Sequence, residues 1–449
     1  MPVPRIAFFS PFNPVRSGVS DYSEELLPEL GRHAQVTLVA DYYSLDNQEL
    51  VRQFSVLNVE QFRSQASKFT MPVYQVANSL AHHGYMIPCI EEFPGVMVLH
   101  DYFLHHLMLG LTLLRGDFRA VVEILCPAHE KNASSLAWGL LASTADPYGI
   151  SLISPLLDRA RVIVTHSNIA RDFVLAERPE AQVRVIPMAM PTIDSARRSD
   201  IRRELGISEQ DFVLASVSTL SYTKRIEVVI DSLAELQSRR PQLQLWILGG
   251  GQISRRAMDR IESAGLQNRV RIVGWTPAAK YEQLLVAADA VIDLRYPSGA
   301  ETSASLLRAI GAGKPAIVSA QGSFLELPDN FTCKIRVEAG ETAQIAAVLE
   351  DLIDHPSKTA AMGEAARAHA LGQMRLDQAA EGYLEAIELA QSCSPVSNPA
   401  RWQSTAGRTE KMLFAALYKA GRAAFLFRTY GFSQALNRLR DTSSGSGRR

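Results

Sequence analysis

Short apolar runs rich in valine and isoleucine alternate along this chain with longer segments of helical periodicity. In the first half the runs predict six strands, at 5–10, 35–40, 73–77, 95–100, 161–167 and 183–187. In the second half they predict six more, at 212–218, 243–249, 269–274, 290–295, 315–320 and 333–337. The runs lack strict alternation of apolar and polar residues, which is typical of strands covered by helices on both faces of a parallel sheet. We therefore predict an α/β protein of two doubly wound, Rossmann-like domains.

Prolines and polar residues interrupt this pattern at 187–200, where we place the boundary between the two predicted domains. The prediction is an N-terminal domain over 1–190, a C-terminal domain over 200–375, a return helix over 376–395 and a tail over 396–449. Ligands of open parallel sheets bind outside the carboxyl ends of the strands. The loops that follow strands are therefore the first places to look for functional residues.

The composition is that of an ordinary globular protein, with 449 residues, 47% hydrophobic and 21% charged. The formal net charge of -1 carries no nucleic-acid signature. The four cysteines, which lie far apart without a C-x-x-C pair, suggest neither a zinc site nor disulfides. The first residues lack the features of a signal peptide, and no apolar stretch reaches the roughly 18 residues of a membrane span. These features predict a cytoplasmic protein.

Charge is segregated toward the end of the chain. Residues 401–449 hold ten Lys and Arg against two acids, a local charge of +8 that leaves -9 for residues 1–400. Within segment 410–440, large apolar residues are interspersed with cations: Met412, Leu413, Leu417, Phe425, Leu426 and Phe427 with Lys411, Lys419, Arg422 and Arg428. This composition predicts a basic helix in peripheral contact with a membrane, or equally a helix packed across both domains with its cations in water.

Two loops of the N-terminal half carry candidate functional residues. After the first predicted strand, Gly18 stands at the start of an amphipathic helix, where it permits close backbone approach and the helix offers free N–H groups to an anion. A simple helix cap explains it equally well. Farther along, "VLHDYFLHHL" puts His100 and Asp101 at a strand end, with His105 shortly after. These residues either pack and cap or line a site, and their spacing fits no zinc motif.

Two loops of the C-terminal half carry the rest. Lys224 and Arg225 follow the predicted strand at 212–218, where a cation could neutralise a diphosphate without a metal. A basic pair at a helix start opposes the helix dipole unless an anion lies nearby, which favours a functional interpretation. Glu301, Thr302 and Ser303 follow the strand at 290–295 and stand at a helix entrance. The alternative for them is an N-cap with a first-turn carboxylate.

Three motifs of other enzyme classes are absent or incomplete. "GAGKP" at 311–315 is not a P-loop, because Pro315 follows Lys314 and Arg308 stands where the first glycine is required. "GGGQIS" at 249–254 gives an incomplete dinucleotide fingerprint. The sequence also contains no D-x-D, the usual metal and diphosphate motif of the other large glycosyltransferase architecture. Nucleoside-triphosphate hydrolysis and hydride transfer are therefore disfavoured.

From about residue 5 to 390 the sequence resembles family 4 glycosyltransferases, retaining enzymes of the GT-B architecture. In the second half the matching segments after the Lys224 loop are "LWILGGG", "NRVRIVGWTP", "LLVAADAVIDL", "YPSGAETSASLLRAIGAGKPAIVS" and "GSFLELPD". In the first half "RSGVSDYSEELLPEL", "YQVANSLAHH" and "LHDYFLHH" are similar to a bacterial subgroup. The order and number of these segments, rather than any one of them, make the resemblance specific.

The resemblance implies two Rossmann-like domains facing a central cleft. It also implies transfer of a sugar from a nucleotide-diphosphate donor to a saccharide or lipid-linked acceptor, as in polysaccharide biosynthesis, with retained configuration and neither a cofactor nor a metal. His100 would contact the transferring sugar, Lys224 would stabilise the diphosphate, and Glu301 would accept hydrogen bonds from sugar hydroxyls. Further donor-binding candidates are Gly18, Arg225, Thr302, Ser303 and Arg308, and acceptor-side candidates are Asp101, His105 and Asn78.

The sequence also departs from the family pattern. Ser218-Thr219 stand where the family has Gly-Arg ahead of its lysine, so one diphosphate cation is missing. Arg308 occupies the position of the second glutamate of the family's E-x7-E pair, and Glu301 lies within one residue of the first. The identity of the donor therefore stays open. A sugar-nucleotide epimerase, a phosphorylase and an inactive sugar-nucleotide-binding module remain alternatives.

Overall fold

The computed structural model describes residues 3–41, 43–393 and 407–430, apart from the side chains of 130 and 428–430. Its contacts divide the chain into two compact units. Unit 1 comprises Met1–Met188, Gly299–Thr302 and Leu376–Arg449, and unit 2 comprises Ala189–Ser298 and Ser303–Arg375. Each unit contains one sheet, as the alternation of apolar runs and helical segments predicts.

Both sheets are entirely parallel. The strands of unit 1 are β1 (Arg5–Phe9), β2 (Gln35–Val39), β3 (Ser55–Leu57), β4 (Met71–Val76), β5 (Val96–Leu99), β6 (Val162–Thr165) and β7 (Val183–Val185), in the order β3-β2-β1-β4-β5-β6-β7. Those of unit 2 are β8 (Phe212–Ser216), β9 (Leu243–Leu248), β10 (Val270–Gly274), β11 (Ala290–Asp293), β12 (Ala316–Ser319) and β13 (Thr332–Ile335), in the order β10-β9-β8-β11-β12-β13. Both orders are those of doubly wound sheets.

Helices connect and cover the strands. They are α1 (Gly18–Leu30), α2 (Gln48–Gln53), α3 (Val59–Ser64), α4 (Leu80–His83), α5 (Ile87–Glu92), α6 (His105–Leu111), α7 (Phe118–His129), α8 (Ala133–Leu141), α9 (Ser154–Leu157), α10 (Asn168–Glu177), α11 (Arg198–Glu204), α12 (Ile226–Leu236), α13 (Arg255–Ser263), α14 (Ala278–Ala287), α15 (Ala304–Gly311), α16 (Glu341–Asp354), α17 (Pro356–Gln373), α18 (Leu376–Ser392) and α19 (Arg408–Tyr430). Short 3-10 turns include Leu113–Arg115 and Tyr222–Lys224. Within the described part of the chain, no helix is both long and apolar enough to cross a membrane.

Burial explains the non-alternating runs. Every residue of β5, β6, β8, β11 and β12 is buried, since helices cover both faces of these central strands. All twelve predicted strands are present. The prediction of six strands in the first half is nevertheless wrong by one, because it missed β3. That strand has only three residues, and none of the three is buried, so it leaves no apolar run to detect.

Unit 1 contains a helical insert between β5 and β6, formed by α6 to α9. The tail helix α19 packs against this insert, contacting α8 and the 3-10 turn Leu113–Arg115. Phe414 stacks on Phe118 with ring centroids 4.8 Å apart, and Arg119 pairs with Glu410 at 2.9 Å. The described part of the tail therefore uses one face of α19 for packing within unit 1. Residues 431–440 of the predicted basic segment, and the Arg428 side chain, lie outside the described residues.

The helix α18 returns the chain to unit 1, within the range predicted for a return helix. It packs on α1 and on β4, β5 and β6. Gly382 lies close enough to Ile186 that a Cβ there would be 3.2 Å from its side-chain carbons. The next residue, Tyr383, is fully buried and points into the unit beside Tyr22 of α1. This helix thereby contributes a polar group to the interior of unit 1.

Candidate active site

The strand order of unit 2 reverses between β8 and β11. In open α/β sheets the crevice outside the carboxyl ends of such a pair is the usual ligand site. The loop after β8 carries Lys224, and the loop after β11 leads through Glu301 to Ser303 at the start of α15. Two of the loops selected from the sequence therefore leave neighbouring strands at this point.

A buried carboxylate, Asp293, organises this end of the sheet. It is the last residue of β11 and is 2% exposed. It accepts hydrogen bonds from the hydroxyls of Ser218 at 2.5 Å and Ser303 at 2.6 Å. Lys224 Nζ lies 3.6 Å from Asp293 Oδ1, and Arg295 Nη2 lies 3.3 Å from Asp293 Oδ2. Asp293 thus joins the loops after both strands.

Two cations of this cluster share one carboxylate. Burial alone would raise the pKa of Asp293, but Lys224, Arg295 and the two serine hydroxyls hold it well below its usual range. The carboxylate is therefore ionised, and two cations share it. The side chains of Lys224 and Arg295 are only 14% and 9% exposed, so water screens their charges weakly. Such a cluster can bind an anion without a metal.

The start of α15 is fixed by the same carboxylate. Ser303 is the N-cap of this helix, and its hydroxyl accepts from the N–H of Leu306 at 3.4 Å while donating to Asp293. Thr302 directly precedes the cap. The first N–H groups of a helix have no intrahelical acceptor and favour an anion. The structure therefore bears out the predicted helix entrance and ties it to the cation cluster.

The glycines of "GGGQIS" allow two loops of unit 2 to approach each other. Gly249 and Gly251 have φ values of 105° and 95°. A Cβ at Gly249 would lie 2.9 Å from the carbonyl oxygen of Ser218, and one at Gly251 would lie 2.7 Å from that of Leu220. The segment therefore supports the loop that leads to Lys224 and is no dinucleotide fingerprint.

The other two candidate cations of unit 2 have acidic partners. Arg225 Nε donates to Glu341 Oε1 at 3.1 Å, and a second bond joins Arg225 Nη2 to the same carboxylate. Arg308 lies on α15, with Nη1 3.4 Å from Glu282 Oε1. The sequence argument asked for an anion near this basic pair, and acids of the unit itself supply one, because Lys224 faces Asp293 and Arg225 faces Glu341.

Lys314 of "GAGKP" has a structural role. Its Nζ donates to the carbonyls of Val286 and Ala288, both at 2.8 Å, at the end of α14. Burial, followed by the charges of Arg198 and Arg202, lowers the pKa of Lys314 to about 7. The lysine sits at the opposite end of the sheet from Asp293, just before β12, and takes no part in the cation cluster.

In unit 1, His100 lies one residue beyond β5 and is 5% exposed. Its Nε2 is 2.7 Å from Oε1 of Gln75, a buried residue of β4. The amide nitrogen of Gln75 donates to the hydroxyl of Tyr383 at 3.2 Å, and Tyr22 donates to the same hydroxyl at 3.2 Å. Burial, and then the neighbouring His166 and other imidazoles, hold the pKa of His100 well below its usual range. His100 is therefore neutral at physiological pH.

The predicted acceptor-side residues form a second hydrogen-bonded group beside β5. The backbone N–H of Asn78 donates to Asp101 at 2.8 Å, and the Asn78 side-chain oxygen accepts from the N–H of His106 at 2.6 Å. The ring of His105 lies 3.4 Å from the Asn78 amide nitrogen. The structure thus brings Asn78, Asp101 and His105 together, with Asn78 capping α6.

The remaining candidates also lie in unit 1. Glu301 belongs to the short segment Gly299–Thr302, and its Oε2 accepts from the N–H of Gly299 at 2.5 Å. The carbonyl of Gly299 in turn accepts from the N–H of Tyr102 at 2.9 Å. Gly18 is the first residue of α1, with Ser17 as its N-cap accepting from the N–H of Ser20 at 3.0 Å. For Gly18 this is the capping contact that the sequence offered as an alternative, whereas Glu301 precedes the N-cap Ser303 and bonds the N–H of Gly299.

Four central residues were missed from the sequence, although each left a signal. Asp293 is an acid at the end of an otherwise apolar strand, and Arg295 follows it by two positions. Gln75 is a polar residue within the buried run of β4. His166 follows "VIVT" of β6 as His100 follows "VMVL" of β5, a repetition that marks both histidines.

Solved structures share this architecture. Anabaena HepE, in a crystal structure with UDP and glucose, aligns with a TM-score of 0.61 at 18% identity, over 86% of this chain and 99% of that one. The fold is GT-B, as the sequence resemblance implied. The two doubly wound sheets assign the protein to this fold class, and unit 2 carries the cation cluster at its switch point.

Sequence comparisons find similar glycosyltransferases. Residues 197–369, which span most of unit 2, match the family Glycosyl transferases group 1. Alpha-monoglucosyldiacylglycerol synthase of Streptococcus pneumoniae is 24% identical over 219 residues, 47% of this chain and 48% of that protein. The GDP-mannose-dependent monoacylated alpha-(1-6)-phosphatidylinositol monomannoside mannosyltransferase of Corynebacterium glutamicum is 29% identical over 177 residues, 38% and 46% of the two chains.

The chain spans about half the length of these curated relatives. The matched family covers the unit that contains Lys224, Asp293 and Ser303. Unit 2 is therefore similar to the glycosyltransferases of this group, and the resemblance to family 4 that the sequence implied is confirmed.

Proposed function

We propose that this protein is a retaining glycosyltransferase that moves a sugar from a nucleoside-diphosphate donor to a saccharide or lipid-linked acceptor without a metal cofactor. The observation that carries the proposal is the cation cluster of unit 2. Lys224 and Arg295 share one buried carboxylate at the switch point of the sheet. A nucleoside diphosphate is an anion of matching chemistry. The UDP in the HepE structure supports this donor class.

Catalysis would come from stabilising the leaving group. The diphosphate gains negative charge as the glycosidic bond breaks, and preorganised cations stabilise that charge in the transition state. Asp293 preorganises Lys224 and Arg295, while Thr302 and Ser303 at the start of α15 supply backbone N–H groups. In this proposal Arg225 and Arg308, which have acidic partners, shape the site from outside. No protein nucleophile takes part.

Unit 1 would supply the contacts to sugars. His100 is proposed to contact the transferring sugar, and Glu301 to accept hydrogen bonds from sugar hydroxyls. The hydrogen-bonded group of Asn78, Asp101 and His105 is proposed to serve the acceptor. Polar side chains that accept hydrogen bonds suit hydroxyl-rich ligands, since each sugar hydroxyl needs an acceptor when it leaves water.

The donor proposal is tested by thermal stabilisation of the full-length protein with a panel of nucleoside diphosphates and their sugars. At least one nucleotide should raise the melting temperature, and Lys224→Ala should reduce that rise. Lys280→Ala is the matched control, since Lys280 is exposed on α14 of the same unit and should behave as wild type. No shift with any nucleotide would contradict the proposal. A shift without sugar transfer to any acceptor would instead favour an inactive binding module.

We also propose that α19 contacts a bilayer that contains anionic lipid. While Phe414 packs inward, Met412, Leu413 and Leu417 are 68%, 57% and 41% exposed on the outer side of the helix. The surrounding tail carries an excess of positive charge. Each cation near the surface adds about 1 kcal/mol of attraction to anionic headgroups. The two relatives named above, a glucosyldiacylglycerol synthase and a phosphatidylinositol mannoside mannosyltransferase, support a lipid-linked acceptor.

Vesicle sedimentation tests this contact. Full-length protein should sediment with vesicles containing phosphatidylglycerol, less with phosphatidylcholine alone, and less again as salt is raised. The double variant Leu413→Glu/Leu417→Glu should lose this binding. Leu325→Glu/Leu371→Glu adds the same charge at exposed sites of unit 2 and should retain it. Equal sedimentation of both double variants, or none of the wild type, would contradict the contact.

A further inference from the structure

Two buried histidines of unit 1 occupy equivalent places. His100 and His166 each lie one residue beyond the end of a strand, and those strands, β5 and β6, are neighbours with Leu99 opposite Thr165. The two rings are therefore adjacent, with centroids 4.9 Å apart. They are 5% and 8% exposed. Both belong to the carboxyl edge of the sheet, where doubly wound domains bind ligands.

A protein acceptor fixes the tautomer of each ring. The amide oxygen of Gln75 can only accept, so the proton of neutral His100 is on Nε2, and Nδ1 carries a lone pair. The backbone carbonyl of Ile186 lies 2.9 Å from Nδ1 of His166 and can also only accept, so the proton of His166 is on Nδ1 and the lone pair is on Nε2. In the structure the Gln75 amide nitrogen faces the Tyr383 hydroxyl at 3.2 Å, and Oε1 faces His100.

The two lone pairs are not used by the protein. Among the residues that the structure describes, neither Nδ1 of His100 nor Nε2 of His166 has a hydrogen-bond partner, although both atoms are buried. A buried polar atom left without a partner costs about 1–3 kcal/mol. Burial lowers the pKa of His166 to about 4, against the opposing effect of its bond to Ile186, so this ring is neutral as well. Each ring therefore offers an acceptor and no free donor.

We propose that His100 and His166 form a paired acceptor site for hydroxyl groups of a bound sugar, and that Gln75 and Tyr383 are positioning residues that hold His100 in the required tautomer. The proposal rests on the sugar-transfer function above for the identity of its ligand. Hydroxyl groups are the donors that such a pair would take, because a carboxylate or phosphate offers no proton to a lone pair. His166 thereby becomes a recognition residue, although it was not among the candidates selected from the sequence.

The tautomers can be measured without any activity. Nitrogen-15 NMR of the full-length protein labelled in histidine, at pH 7.5, should show two neutral rings of opposite tautomer. His100 should be protonated at Nε2 and His166 at Nδ1, with the signals assigned by their loss in His100→Gln and His166→Asn. A charged ring, or either ring in the other tautomer, would overturn the paired acceptor site. This outcome does not depend on whether the protein transfers sugar.

Two substitutions of His100 separate recognition from packing. In His100→Asn the side-chain oxygen can take the place of the Nδ1 acceptor, but the bond to Gln75 is lost. In His100→Gln the amide nitrogen can still donate to Gln75, but no acceptor remains at the Nδ1 position. We expect the Asn variant to retain about ten-fold more kcat/KM for the donor than the Gln variant, the effect of one hydrogen bond. The reverse order would mean that His100 only packs, and would overturn the proposal.

The positioning role of Gln75 predicts a new pH dependence. In Gln75→Glu a carboxylate would face Nε2, favour the imidazolium and turn Nδ1 into a donor. Activity should then fall by about ten-fold at pH 7.5 and recover as the pH is raised, because the ring regains its lone pair. The other titratable groups facing His100 are His83, His166 and Tyr22, and they are unchanged in this variant. A wild-type pH profile for folded Gln75→Glu, in a protein that transfers sugar, would overturn the positioning role and leave the proposed function intact.

Discussion

Replacing Asp293 by Asn should strongly destabilise unit 2, because it removes a buried charge. The change in side-chain volume is small. Asp293 is 2% exposed and lies 3.6 Å from Lys224 and 3.3 Å from Arg295. Unit charges about 4 Å apart attract by about 4 kcal/mol at an effective dielectric constant of about 20. Removing one partner of a buried pair costs about 3–5 kcal/mol, since the remaining charges stay desolvated. We expect the free energy of opening of unit 2 to fall by that amount.

Hydrogen exchange of the amides in β8 and β11 measures this effect for unit 2 alone. Asp231→Asn is the control, because Asp231 pairs with Arg260 at 3.1 Å with 37% of its side chain exposed. Such a surface pair is worth about 0–1 kcal/mol. If Asp293→Asn changed the free energy of opening by no more than this control, Asp293 would not be the buried ion that organises the cluster.

The same variant carries a pH signature. The pKa of Asp293 is held below its usual range, so the stability it supplies is present above the unfolded value of about 4 and is lost as the pH falls through the folded value. Wild type and Asp293→Asn should therefore differ fully at pH 7 and converge progressively below about pH 4. A gap that stayed constant at acidic pH would show that the lost stability comes from altered packing and not from the charge.

Three further predictions concern other parts of the chain. Glu301→Ala should reduce sugar transfer by about ten-fold or more and Glu301→Gln by less, since the amide still accepts a hydrogen bond. Full activity of the alanine variant would show that Glu301 serves the turn contact to Gly299 and not the sugar. Lys314 has its pKa lowered to about 7, so between pH 7 and 10 the unfolded chain binds more protons and stability should rise with pH, by up to about 1.4 kcal/mol per unit. Urea unfolding of Lys314→Met should lack that rise, and an unchanged slope would contradict the shift. Phe414→Ala should speed hydrogen exchange in α19, whereas Leu413→Ala, at an exposed site of the same helix, should not; equal exchange in both would refute the packing of Phe414.

The fold could be predicted from the sequence because its central strands are buried on both faces. Twelve apolar runs were sufficient to give the two sheets, and the interruption near residue 190 separates them. Missed strand β3 has three residues, so its pairing with β2 rather than its own composition makes it a strand. The helical insert between β5 and β6 and its packing with α19 depend on contacts between residues nearly 300 positions apart, such as Phe118 and Phe414. No local pattern encodes such a contact.

The site was only partly predictable. Loops after strands identified Lys224, Ser303 and His100, because the carboxyl edge of a parallel sheet is where polar loop residues converge. The acids that neutralise cations, such as Asp293, could not be paired with them from spacing, since pairing depends on the order of strands in the sheet. Gln75 could not be identified for a similar reason, because its role depends on His100, which follows the neighbouring strand β5.

The central claim is that this protein transfers sugar from a nucleoside-diphosphate donor by means of the Lys224 cluster. The most direct measurement follows release of the nucleoside diphosphate and the anomeric configuration of the product by NMR, with the donor that stabilises the protein and a panel of saccharide and lipid acceptors. We predict acceptor-dependent release that a chelator does not abolish and a product of retained configuration. Turnover should be about ten- to a thousand-fold lower in folded Lys224→Ala, as expected for loss of one preorganised charge. No release with any acceptor, an inverted product, or unchanged turnover in Lys224→Ala would contradict the account.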